Sequence, residues 1–168
     1  MQTVRFLLLS WLVVLAWSVP ATAAVTVSFT EPENYSDANL DDSYHAEAGD
    51  KGLNEIQRHL ESLGERYLAS GQELKVEILD IDLAGRHEPW RARAYGVRIM
   101  RDITWPRIRL RYVLENEGIV ATTAEESVID MNYLGRSSRY SASDRLRYEK
   151  QMLDDWFRAR FVEHRAPR

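Results

Sequence analysis

Between Arg107 and Leu114 the chain alternates without a break: Ile108, Leu110, Tyr112 and Leu114 stand between Arg107, Arg109, Arg111 and Val113. A period of two with charge on one side is a strand with one face in a core and the other in water. Sheets with one wet face are mostly antiparallel, and their helices lie on the other face. Asn116-Glu117-Gly118 then reads as a hairpin turn, with a return strand from Ile119 to about Ile129.

The rest of the chain fits that frame. Val25, Val27 and Phe29 alternate with Thr26, Ser28 and Thr30, which predicts a first strand ended by Pro32. The acidic stretch to Asp50 reads as a surface loop. Leu53, Ile56, Leu60, Leu63 and Tyr67 recur at helical spacing, with Asp50 as the expected N-cap and Gly71 as the stop. Glu73 to Leu83 predicts a second strand whose pattern slips: Leu74, Val76 and Ile78 share one face, and Leu79, Ile81 and Leu83 the other. A bulge or a buried central position accounts for the slip. Gly85 to Gly96 reads as a connection and Val97 to Met100 as a short strand, followed by a kink at Trp105-Pro106. A final helix carries Leu146, Met152, Leu153, Trp156, Phe157 and Phe161 on a wide apolar stripe, with Ser141 or Ser143 as its cap. The order β-α-β-β-β-α predicts an α+β two-layer sandwich, a mostly antiparallel sheet of four to five strands with two helices on one face.

Ahead of this domain, Arg5 precedes an apolar run from Phe6 to Val19, then Pro20 and Ala21-Thr22-Ala23-Ala24. The run is near the ~7–15 residues of a cleavable leader and short of the ~20 that cross a bilayer. Residues 1–23 are therefore expected to be a signal peptide and 24–168 a single domain, secreted to the periplasm and not membrane-spanning after cleavage. The chain has no cysteine, so it carries no lipid-anchored Cys and its stability rests on packing alone.

The formal net charge is -4, too mild for a nucleic-acid-binding protein. Its distribution says more. Residues 31–50 hold seven acidic side chains and no Lys or Arg, whereas 86–111 hold eight Arg against Glu88 and Asp102. One reading is an anion-binding surface for a lipid headgroup, since Arg binds phosphate in a fork. The other is that the two segments neutralise one another or face water.

Several stretches carry a resemblance: Leu79-Asp80-Ile81-Asp82-Leu83-Ala84-Gly85, Pro89-Trp90, Arg98 to Ile108, Asp130-Met131-Asn132-Tyr133-Leu134 and Tyr148 to Phe157. In that order they resemble the uncharacterised proteobacterial secreted family catalogued as domain of unknown function 3016. The resemblance covers essentially the whole mature chain. It implies export and a Gram-negative source, and it brings no activity, cofactor or site residue with it.

Asp80 and Asp82 lie in register with Leu74, Val76 and Ile78 unless a bulge intervenes, and carboxylates on a core face need a cation, a metal or backbone donors. With Asp130, His87 and Glu88 they are the candidate acid-base or metal-dependent hydrolase site. The competing reading turns them to solvent or to an Arg through a bulge. Asp37-x-Asn39-x-Asp41 begins like a calcium loop, but Asp42 replaces the required Gly and Ala48 the bidentate Glu. The four histidines, His45, His59, His87 and His164, have no zinc spacing and are expected at the surface. No metal or cofactor is expected, and the common serine and cysteine hydrolase signatures are absent. Arg107, Arg109 and Arg111 are the candidate ligand-binding face, or a solvated ladder paired with Glu125 or Glu126. Trp90, Trp105, Trp156 and Tyr133 are expected to anchor core or loops. The expected function is a non-enzymatic envelope accessory or binding protein whose partner is an anionic lipid headgroup or an envelope protein; the alternative is a small metal-dependent hydrolase using Asp80, Asp82 and Asp130.

Overall fold

The computed structural model describes residues 23–38, 46–88, 90 and 97–166. The expected leader, apart from Ala23, lies outside the described residues, as do Asn39, Asp41 and His45. Strand β1 (Ala24–Phe29) is followed by a 3-10 turn at Pro32–Asn34, helix α1 (Ala46–Tyr67) and strand β2 (Gln72–Asp82). Then come β3 (Arg86–His87), β4 (Arg98–Ile99), β5 (Arg107–Asn116), β6 (Ile119–Ile129) and helix α2 (Arg147–Phe157), which runs into a π-helical turn over Arg158–Val162. The main sheet has the order β1-β2-β5-β6, and β3 and β4 form a separate ribbon. β1 runs parallel to β2, while β2 with β5 and β5 with β6 are antiparallel. The α+β, mostly antiparallel expectation holds.

Both helices cover one face. Ile56, Leu60 and Leu63 of α1 and Met152, Leu153, Trp156 and Phe157 of α2 bury against Leu74, Val76 and Ile78 of β2 and Ile108, Leu110 and Tyr112 of β5. The register shift falls between Ile78 and Asp80. One extra residue turns Ile81 and Leu83 back to the core, so they share the side of Leu74 and not the opposite one, and Leu79 is left half-buried. The same bulge sends Asp80 and Asp82 to the open face beside Arg109 and Arg107.

Other expectations are corrected. α1 starts at Ala46, so Asp50 lies inside the helix and does not cap it; Ala46, Glu47 and Ala48 are strong helix formers and extend it backward. Neither Ser141 nor Ser143 caps α2. Leu146 holds the N-cap position without a side-chain bond, Ser141 Oγ accepts from Ser143 N–H, and Asp144 Oδ1 accepts from the Leu146 N–H. The segment read as a plain loop after Gly85 begins with β3, because Arg86 and His87 pair with Ile99 and Arg98. Gly85 has φ +77, and a Cβ there would come within 2.8 Å of the Ile99 carbonyl oxygen, so glycine is what lets the ribbon turn. Trp90 anchors nothing among the described residues and is 75% exposed. No helix among the described residues is long and apolar enough to cross a membrane.

Gly64 sits inside α1, where glycine ordinarily weakens a helix by about 1 kcal/mol relative to alanine. Here a Cβ would overlap Cγ2 of Val25 on β1. The close helix-strand approach therefore outweighs helix propensity. Gly64→Ala is expected to destabilise by about 1–3 kcal/mol, with the loss largely regained in Gly64→Ala/Val25→Ala; urea midpoints of the two variants check it.

Candidate functional site

The open face of the sheet carries an ion-pair lattice. Asp80 accepts from the backbone N–H and hydroxyl of Ser36 at 2.8 and 2.9 Å, and Arg107 lies 3.6 Å away. Asp82 takes Arg86 at 2.5 Å and Arg107 at 3.5 Å. Asp37, from the acidic segment, is held by Arg86 and by Arg98 at 2.7 Å. Acidic and basic segments thus pair here. Further along, Arg111 bridges Glu77 at 2.8 Å and Glu125 at 2.9 Å. Arg109, between the two clusters, is the ladder arginine left without an ion pair among the described residues. Glu125 is the across-strand partner that alternation suggested, whereas Glu126 points to the helix side.

Asp130 does not join Asp80 and Asp82. It follows β6 on the helix side, accepts from the Asn132 N–H at 3.1 Å and pairs with Arg136 at 3.2 Å. The sheet separates it from the other two carboxylates. Among the described residues no three His, Cys, Asp or Glu side chains are grouped to hold a metal ion.

Asp130 instead borders a groove of about 430 Å³. β6 is the last strand of the sheet, and Glu126, Ser127, Val128, Ile129 and Asp130 line the groove in succession. Successive strand side chains point to opposite faces, so five consecutive lining residues mean that the unpaired backbone edge itself forms this wall. Met152, Asp155, Trp156 and Ala159 form the other. Their spacing of three and four residues is one face of α2 continued into the π-turn. Arg136 closes one end by pairing with both Asp130 and Asp155. At the other end Arg160 holds Glu126 through three bonds of 2.8, 2.9 and 2.6 Å. Burial, and then the Glu126 charge, pushes the Tyr112 phenol beside that pair up to about 12. The Trp156 indole N–H is buried without a hydrogen-bond partner.

A second polar cluster pins the helices together. His59 Nε2 donates to the Lys150 carbonyl at 3.2 Å and lies 3.1 Å from Asp154, so this histidine is largely buried and not a surface group. Tyr140 donates to Asp154 at 2.9 Å. Burial pulls the Asp154 pKa up, but the contacts from His59 and Tyr140 and the charges of His59 and Arg139 outweigh it and hold the carboxyl below its ordinary value. His87 has both ring nitrogens buried and unpartnered, and His164 is exposed.

Glu149, in the first turn of α2, accepts from the Ala84 N–H at 2.7 Å with one oxygen, while the other is buried and unpartnered. Burial raises its pKa above the ordinary 4.5. A folded-state pKa above the unfolded one means the native state holds the extra proton, so stability is complete below the unfolded value and lost as pH rises through the folded value. Glu149→Gln keeps the acceptor for Ala84 and carries no charge. Its stability relative to wild type is expected to improve from pH 4 to pH 7; urea unfolding at the two pH values checks the sign.

Sequence reading found the Asp80–Asp82 and Arg107–Arg111 positions but not the groove. The one available signal was Glu126, an acid on the core-facing parity of β6 with Val128; its partner comes from a helix more than thirty residues on.

Among solved structures, protein XCC0632 from Xanthomonas campestris, of the DUF330 family, is similar at 10% identity and a TM-score of 0.34 over 86% of this chain and 87% of that one. No curated protein matches the sequence. The model of the DUF3016 family, described as proteins of unknown function, matches residues 23–159, and the chain belongs to that family.

Proposed function

We propose that the protein is a non-enzymatic binding protein of the cell envelope, exported by its leader, that holds its ligand in the groove between the β6 edge and α2. The observation that carries this reading is the pairing of a free backbone edge with a single helix face around about 430 Å³. The Arg ladder supports an anion site less well, because Arg107 and Arg111 already serve carboxylates. The hydrolase alternative suffers similarly: Asp80 and Asp82 are held by Arg and Ser36, and Asp130 lies across the sheet.

Native mass spectrometry of protein recovered from the envelope of its host tests the reading. Wild type is expected to carry a bound species that Ala159→Trp, which plugs the groove from its helix wall, loses. The reading is overturned if wild type carries nothing, if Ala159→Trp retains the species, or if Arg107→Gln/Arg109→Gln/Arg111→Gln alone removes it. An equimolar divalent metal ion in wild type that disappears in Asp82→Asn would restore the hydrolase reading.

A further inference from the structure

We infer that the groove receives an extended, uncharged segment of another protein, which adds to β6 as a fifth strand of the main sheet. The inference rests on the groove being the binding site and names what binds there. Its first ground is the backbone. A free strand edge presents a row of N–H and C=O groups, and another extended chain satisfies such a row.

Natural proteins ordinarily blunt an exposed edge with charged side chains, lysine above all, with inward-pointing charges, proline, a bulge or a covering element. From Thr122 to Ile129 β6 has no Lys, Pro or Gly, and its register shift lies before Thr122, opposite Leu114 and Glu115. This stretch, which borders the groove, is therefore regular, and the two charges it does carry, Glu125 and Glu126, are already paired with Arg111 and Arg160. Five lining residues at about 3.3 Å each match a ligand strand of about five residues.

Charge sets the kind of segment. Arg136 is matched by Asp130 and Asp155, Glu126 by Arg160, and Arg165 by Glu163. A charged ligand would have to break one of these pairs, whereas an uncharged one leaves them intact. Met152 and Trp156 offer apolar surface on the helix wall, and methionine adapts to varied shapes. In an added strand every second side chain faces that wall, so the segment alternates apolar residues toward α2 with small polar ones toward the open face.

A second copy of this chain fits less well. Pairing two β6 edges antiparallel about Val128 sets the Glu126–Arg160 pair of one copy against the Asp130–Arg136 pair of the other, twice, and burying two ion pairs that are already satisfied costs desolvation with no new partner gained.

The probe is a blocked peptide of alternating Thr and Val with one terminal Lys for solubility, compared with the same peptide N-methylated at every backbone nitrogen. The readout is amide hydrogen exchange by NMR on the wild-type protein at millimolar peptide. The unmodified peptide is expected to slow exchange of the edge-facing amides within 126–130 by on the order of tenfold, and the methylated one to leave them unchanged. Ala159→Trp is expected to abolish the protection; should that variant not fold, the comparison of the two peptides on wild type decides alone. Equal effects of both peptides, or protection by neither, overturn the strand. So does protection that grows with protein concentration without peptide, which would mean a second copy, and so does a response at the groove only to inorganic phosphate. If the peptides fail while Ala159→Trp still strips the native species, the groove stands and the ligand class falls. If Ala159→Trp strips nothing, the groove reading itself falls.

Discussion

Trp156→Ala is expected to destabilise the protein by about 3–5 kcal/mol, a large share of the roughly 5–15 kcal/mol available to a domain. Trp156 is 6% exposed and meets three aromatic rings edge-on: Tyr112 at 5.7 Å, Phe157 at 6.0 Å and Phe161 at 5.5 Å. Removing the indole leaves a void bounded by rings on three elements, which cannot all close on it. The melting temperature should fall by about 10 °C or more. Trp156→Phe separates packing from polarity. It keeps ring contacts, and the indole N–H has no partner to lose, so it should cost less than half as much. A Phe variant as unstable as the Ala variant would contradict an aromatic-packing account.

The second large effect concerns the pair at the groove end. Glu126 and Arg160 have side chains only 4% and 11% exposed. Arg160→Met leaves Glu126 charged, buried and unpaired, and is expected to cost about 3–5 kcal/mol. Glu126→Gln/Arg160→Met should recover most of this, because an amide needs no counter-ion and can still bond the Tyr112 hydroxyl. Urea unfolding of the single and double variants measures the coupling. By contrast Arg111, whose partners are well exposed, should cost only about 0–1 kcal/mol when changed to Gln. Equal costs at the two arginines would show that burial does not govern these pairs.

Much of the fold was legible because hydrophobic period is a local property. The alternation from Ile108 to Leu114, the Asn116-Glu117-Gly118 turn and the stripe through Leu153 and Trp156 each specify an element and its buried side with no knowledge of neighbours. The break in period at Leu79 marked an irregularity for the same reason, a bulge or a buried central position, and the register shift between Ile78 and Asp80 is the bulge. Helix starts were less legible. Asp50 and Ser141 have capping side chains, but good helix formers ahead of Asp50 moved one boundary and the 141–146 turn moved the other.

The candidate site was hidden for a different reason. Asp80, Asp82 and Asp130 look alike in sequence, yet the bulge and the position of β6 put two on the open face and one against α2. Glu126 and Arg160, or Asp130, Arg136 and Asp155, meet only because α2 packs beside the last strand. No local rule states which strand becomes the edge, since strand order follows from how all the apolar faces are buried together. Local periodicity therefore determined the long strands, the two helices and the hairpin with most of their buried faces, while tertiary packing decided the side taken by Ile81 and Leu83, the β3–β4 ribbon, the edge, the groove and every ion pair that lines it.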